Sequence, residues 1–409
     1  MSLIKQGDKF RFHKYIVKEI YLLFKTETIK IDPVRVNGFT IIDDYIENCY
    51  PILKLDIALE DEIYYKIQRH KKTVQVKLRV QRFYREGTEK EKSLCKDYIK
   101  SVFSLILDDD DEDLSEGLRK KEYPNGESGN LAAVTTTMEM FLFKSSIIRA
   151  NRKMQNKIFT KTDVTHVITW LLQKAGVKNA LISRVENQNT YDEIIIPPMS
   201  ILEDLAQVDS FYGIHKTGTI IYFGLDRSYV IKFLAESKTF VKGEKHTVTI
   251  IVPKKGSSET DNVSEVRKKG DTEKIYILAD PNSFEPKNLN ETDSALHAID
   301  VDIVDAGSGS VQSTGEENKQ VIINPGLNPF YKTLYNAKKK SNECVVSIGF
   351  QDVDVSCLTP NKNYRFLFED TKLSKKYHGS YMLCGTTMTF VKEGKEFTAV
   401  VSAIFRKIK

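Results

Sequence analysis

Strict two-residue alternation recurs toward both ends of this 409-residue chain, and it limits what the chain can fold into. In KKTVQVKLRVQRFY the apolar Val74, Val76, Leu78 and Val80 point one way, and Gln75, Lys77, Arg79 and Gln81 the other. A strand with one wet face produces that pattern; a helix does not. The closing segment SYMLCGTTMTFVKEGKEFTAVVSAIF repeats it as two arms with KEGK as the turn. Val34 to Leu59 and VTTTMEMFLF (Val134 to Phe143) add β-branched and aromatic residues between polar breaks. The expected class is α+β, mainly β.

Between these β regions the period changes. In FTKTDVTHVITWLLQKAGV the apolar Val164, Val167, Ile168 and Leu171 fall on one face of a helix that Thr162 or Asp163 can cap and Gly176 can stop. TYDEIIIPP predicts a short strand at Ile194 to Ile196, ended by two prolines. PPMSILEDLAQVDSFYGIHKTGTIIYFG follows, with Ser200 and Glu203 spaced as a capping box. Its helix is expected to carry Ile201, Leu202, Leu205 and Val208 inward, then give way to a hairpin turning at Lys216-Thr217-Gly218. The predicted organisation is two β-barrel-like domains flanking a small α+β module of helix, strand, helix and hairpin. Its parts are a strap at 1–30, a first barrel at 31–154 with an acidic loop at 108–130, the module at 155–235, and a second barrel at 236–409 with polar insertions at 254–274 and 307–320. In the second barrel KTFVKGEKHTVTIIVP is expected to be a hairpin whose second arm runs from His246 to Val252.

Composition narrows the function. Charged residues are 29% of the chain, with 61 basic against 56 acidic, so charge is dense but nearly balanced. A dedicated nucleic-acid binder gathers its excess on one face, whereas here the short lysine runs (Lys71-Lys72, Lys338 to Lys340) are expected on solvated faces. No apolar run approaches the roughly 18 residues of a membrane span, and MSLIKQGDKFRFHKY lacks a signal-peptide core, so a soluble, cytoplasmically made chain is expected. The five cysteines, Cys49, Cys95, Cys344, Cys357 and Cys384, form no metal-ligand spacing and are expected to act as small buried hydrophobes.

Chemistry is sparse. Phosphate-loop, dinucleotide, zincin, nucleophile-elbow and kinase signatures are all missing from the sequence. Six acidic residues in a row, Asp108 to Asp113, fail the calcium-loop pattern, which needs acids at alternate positions around a glycine. His166 has no second ligand at a useful spacing. Asp204 and Asp209 are expected on or just past a polar helix face, with nothing to orient His215. No catalytic, cofactor-binding or metal residue is assigned, no cofactor is expected, and the expectation is a protein that is not an enzyme.

The patterns IIDDYIENCYPILKLDIAL, LLQKAGV, PPMSILEDLAQVDSFYGIHKTGTIIYFG and TPNKNYRFLFEDTKLSKKYHGSYMLCGTTMTFVKEGKEFTAVVSAIF, in that order, resemble the central tail-hub (baseplate hub) proteins of tailed bacteriophages. Those hubs are similar to the base of type VI secretion spikes. The resemblance spans roughly Val34 to Phe405 and rests on texture and order. It implies a homotrimeric ring of six β-barrels, two from each subunit, adapting a sixfold tail tube to a threefold central spike. The implied partners are the tail tube protein, the spike, other baseplate proteins and the tape measure protein, in a virion tail tip assembled in the host bacterial cytoplasm. DNA would pass through the channel without specific binding. No lysozyme-like or spike-like extension follows the second barrel, so wall cleavage would fall to other gene products. A tail-associated cell-wall hydrolase and a host-surface binding module are the alternatives.

Overall fold

A computed structural model describes residues 10–86, 96–106, 118–120, 135–235, 247–254, 265–266, 274–289, 300–305, 319–324, 326–351 and 353–408. Cys95, Asp108 to Asp113, the first arm of the hairpin expected before Val252 and most of both polar insertions lie outside these residues.

The alternating segments close on themselves. Tyr381–Glu393, Val36–Asp44, Ile52–Glu60, Thr135–Lys144, Lys96–Leu105, Gln75–Glu86, Phe10–Leu23 and Glu396–Lys407 pair in that order, and the last pairs with the first, giving a closed eight-stranded antiparallel barrel. Closure leaves these strands no free edge to aggregate through. Each strand sends alternate residues inward. Val74, Val76, Leu78 and Val80 are buried as their spacing predicts. At the centre Phe39 stacks on Phe390 at 4.2 Å between ring centroids, and Tyr15 meets Phe390 edge-on at 4.8 Å.

The first strand corrects an expectation. Residues 1–30 were expected to lie as a strap, but Phe10–Leu23 is a barrel strand, paired along its length with Gln75–Glu86. A bulge between Val17 and Glu19 breaks its alternation, which is why its period is hidden in the sequence.

Strand pairing also closes a second circuit. From Tyr381–Glu393 it runs through Asn363–Phe368, Thr247–Val252, Lys274–Leu278 and Glu265–Val266 back to Phe10–Leu23 and Glu396–Lys407. The two β regions therefore share three strands. One continuous hydrophobic cluster, from Tyr15 to Phe405, serves both.

The α+β module has its own core. Helices Val164–Lys174 and Ile201–Tyr212 pack together on the two-stranded antiparallel ribbon of Gln155–Asp163 and Thr190–Met199. Asp163 caps the first helix by accepting from the His166 N–H, and Gly176 follows its C-cap at φ 70°. The strand expected at Ile194 to Ile196 is longer. It runs through both prolines, at a register shift between Ile196 and Met199 where no ladder N–H is needed.

The capping box is present. The Glu203 N–H donates to Ser200 Oγ at 3.4 Å and the Ser200 N–H to Glu203 Oε2 at 2.9 Å. Ser200→Ala is expected to cost about 1 kcal/mol, read as a lower urea midpoint. An unchanged midpoint would show that the cap carries no energy.

The hairpin expected to turn at Lys216-Thr217-Gly218 sits elsewhere. The helix runs on to Tyr212 and stops at Gly213, φ 74°, where a Cβ would lie 2.2 Å from Asn328 Oδ1. The Asp209 carboxylate then accepts from the Ile214 N–H at 3.2 Å and from the Thr219 hydroxyl at 2.6 Å, which draws Ser210 to His215 out of any strand. The true arms are Thr219–Phe223 and Ser228–Lys232, with Ala180–Ile182 added in parallel.

Candidate interaction surface

This three-stranded sheet joins module to barrel because its alternation is used on both faces. Leu181, Ile220, Tyr222, Tyr229 and Ile231 point into the barrel's cluster. Phe223 and Val230, with Ile182 and Ile221 against them, point into the module's own core. Tyr222 is the largest fully buried member. Its ring meets Tyr45 edge-on at 4.6 Å and its hydroxyl donates to Asp43 at 2.5 Å; Asp43 also accepts from Thr386 at 3.2 Å. Burial pushes the Asp43 carboxyl up to about 6, against the two hydroxyl donors that favour its charged form. Beside this point the Phe223 N–H donates to the Cys49 carbonyl at 2.7 Å and Lys144 Nζ to the Leu225 carbonyl at 2.6 Å.

The polar residues singled out in the module are not on a polar face. Asp204 is 0% exposed and neither carboxylate oxygen has a hydrogen-bond partner. Burial, with Glu203 adding like charge, pushes it up to about 7. Asp209 goes up to about 6 by burial, opposed by its bonds to Thr219 and Ile214. His215 is oriented after all, with Nε2 3.0 Å from Ser183 Oγ, which also accepts from the Lys232 N–H at 2.9 Å. A hydroxyl beside an imidazole has the spacing of a hydrolase pair. Here His215 is fully buried and Ser183 nearly so, His215 Nδ1 has no partner to hold a tautomer, and burial drives the imidazole down to about 4. The pair fixes the module's interior and leaves no room for a substrate. His166 is exposed, edge-on to Phe159 at 5.7 Å. Cys357 and Cys384 are buried as expected, while Cys49 and Cys344 are only half-buried. No group of three or more potential metal ligands occurs among the described residues. Nor is any helix there long and apolar enough to cross a membrane.

The barrel's outside is of two kinds. Over Phe10–Leu23, Gln75–Glu86 and Lys96–Leu105 it is charged and self-neutralised. Arg79 bridges Glu19 and Asp97 at 2.9 Å each, which holds both carboxyls below their usual range. Along the middle of the four adjacent strands Val36–Asp44, Tyr381–Glu393, Glu396–Lys407 and Val345–Gln351 the outward residues carry no charge. Thr40 and Ile42 pair with Thr389 and Thr387, and Val391 follows. Val400, Ser402 and Ile404 lie beside them, paired on their far side with Gln351, Gly349 and Ser347. Val391, Val400 and Ile404 are 40–48% exposed. Charge returns at the borders, at Lys54, Asp56, Lys14, Asp44, Glu393, Glu396 and Arg406, and at Glu285 opposite Ser347. A groove of about 340 Å³ opens at one end, between Ile42, Asp44, Thr387, Ser402, Ile404 and Arg406.

A second uncharged face lies on the module's two-stranded ribbon. Ile158 and Ile195 are cross-strand partners, 58% and 51% exposed, flanked by exposed Met154 and Met199. Lys157 turns away from this face, its Nζ over the rings of Phe159 at 4.4 Å and Trp170 at 5.0 Å. Sequence reasoning missed both faces. The signal available was the absence of Lys, Arg, Asp and Glu from the outward positions of otherwise alternating strands.

The family of the Bacteriophage PBS1 gene 109 protein matches this chain over residues 10–408. The chain belongs to that family. No curated protein matches its sequence. Among solved structures it is similar to the tail protein from Neisseria meningitidis MC58, at TM-score 0.50 and 7% identity over 96% of both chains. It is also similar to the 43 kDa tail protein of prophage MuSo2 from Shewanella oneidensis, at TM-score 0.49 and 10% identity over 94% of this chain and 96% of that one. A third similarity is to the Escherichia coli c3393 protein, a component of the type VI secretion system, at TM-score 0.39 and 8% identity over 90% and 73%. The chain thus shares the fold of the Neisseria tail protein, and it is mainly β around a closed eight-stranded barrel.

Proposed function

We propose that the chain is a structural tail-hub protein that works as a homotrimer in the virion tail tip or baseplate. The observation that carries this is the pair of closed strand circuits in one chain. Three copies then present six barrel-like units, so one side of a ring can match a sixfold tail tube while the other keeps closed threefold symmetry toward a central spike. The shared strands and common core hold the two units at a fixed angle, which a symmetry adaptor requires. The Neisseria tail protein's fold over nearly the whole of both chains supports the same reading. DNA would pass through the ring without specific binding, since no large excess of basic over acidic residues is available to hold phosphates. The tail tube, spike and tape measure proteins are the partners this role requires, and the role asks for no catalysis by this chain.

Native mass and electron-microscopic class averages test it. The purified chain, alone or mixed with the tail tube and spike proteins of its own virion, is expected to give a three-copy ring. A chain that stays single in every mixture would sink the proposal and return the hydrolase and host-binding alternatives.

A further inference from the structure

We propose that the ring closes through two unlike faces, with the uncharged barrel face around Val391, Val400 and Ile404 of one copy receiving the apolar ribbon around Ile158 and Ile195 of the next. The inference rests on the trimeric reading above and names its interface.

A ring of identical subunits needs a heterologous contact, in which each copy offers one patch forward and a different patch backward. Among the described residues two contiguous faces are both uncharged and bear several exposed large apolar side chains, and they lie on different parts of the chain. Two further exposed large apolar residues stand singly amid charge. Leu367 lies between Arg365 and Glu369 on its strand face, and Tyr65 between Glu62 and Arg69 on its helix.

An uncharged face selects its partner by exclusion. Covering it with charged surface would strand unpaired charges away from water, which disfavours the contact. In a chain with 29% charged residues few surfaces avoid that, and the ribbon is one. The barrel face is four strands wide, about 19 Å at roughly 4.8 Å per strand. The ribbon is two strands wide, and its apolar part spans five residues on each side, Met154 to Ile158 and Ile195 to Met199, about 17 Å long. The narrower face fits within the wider one, with Glu193 just past the ribbon patch and Glu393 and Arg406 at the ends of the barrel face left for a wet rim.

The experiment uses the full chain and native mass measurement. Ile158→Lys with Ile195→Lys charges the ribbon; Val400→Lys with Ile404→Lys charges the barrel face. All four positions are exposed, and unchanged circular dichroism and melting confirm folding. Should either double variant fail to fold, Ile195→Lys or Val400→Lys alone replaces it. Each variant alone is expected at single-copy mass. Mixed one to one, they are expected to form a two-copy species and no ring, because the intact barrel face of the first meets the intact ribbon of the second once and no further contact remains. A variant that keeps the three-copy mass, or a mixture that stays single, overturns this pairing and leaves the trimer standing. A parent chain that never exceeds single-copy mass, with or without its tail partners, overturns the trimeric reading itself.

Discussion

Tyr222→Ala is expected to cost about 3–5 kcal/mol and to split one melting transition into two. Tyr222 is among the largest fully buried side chains and is the module's main insertion into the barrel's cluster. Truncating it removes the ring beside Tyr45 and takes away the hydroxyl that donates to Asp43, leaving Thr386 as the remaining side-chain donor to a buried carboxylate. The module keeps the core between its two helices and ribbon, so it need not unfold with the barrel once the seam is weakened. Calorimetry at pH 8, where Asp43 is charged, should show the module melting first. Tyr222→Phe separates the two contributions. It keeps the ring, and its penalty should shrink as pH falls below about 6, where Asp43 takes up a proton and no longer needs the donor as a charged acceptor. A single transition at the parent's midpoint for Tyr222→Ala would mean that the seam contributes nothing.

That seam shows what the sequence could and could not disclose. The alternation of Ile220, Ile221, Tyr222 and Phe223 is apolar at every position, so periodicity marks a strand buried on both faces without saying what covers each. The capped helices were legible because caps are local: Asp163, Gly176, Ser200 and Glu203 act within a few residues of themselves. The misplaced hairpin failed for the opposite reason. Its outcome turns on Asp209 reaching Thr219 and on Asn328 closing over Gly213, the latter more than a hundred residues away. The strap failed because one bulge breaks the alternation on which a strand assignment depends. That the two β regions share three strands follows from pairings across more than three hundred residues, which a single sequence does not encode locally. The candidate interface is an intermediate case. Its residues are plain in the sequence, but their common property, uncharged outward positions side by side along the middle of four adjacent strands, exists only once the strand order is known.

Asp204→Asn is expected to stabilise the module, increasingly so as pH rises. Asp204 sits in the first turn of its helix, where the dipole favours a carboxylate by about 0.3–1 kcal/mol, but full burial without a partner outweighs that. Its carboxyl is raised from 3.8 to about 7, so between those values the folded chain holds a proton that the unfolded chain has released. Folding then takes up a proton, and stability falls as pH climbs through that window. Asp43 and Asp209, each raised to about 6, act in the same direction over a narrower range. His215 acts in the opposite one: neutral when folded and pushed down to about 4, it withdraws stability as pH falls below 6.5. The amide removes only the Asp204 contribution. Near pH 4 parent and variant should melt close together, because the neutral acid and the amide are both buried without a partner, and by pH 8 the variant should be ahead by about 4 kcal/mol, which the displacement from 3.8 to about 7 implies at about 1.4 kcal/mol per tenfold change in proton affinity. Melting curves from pH 4 to 8 measure the gap. A constant gap across that range would mean that Asp204 is solvated in the folded chain and titrates as an ordinary carboxylate. The penalty is confined to the module, so in the Tyr222→Ala background, where the two transitions separate, Asp204→Asn should move the module's transition and leave the barrel's where it is.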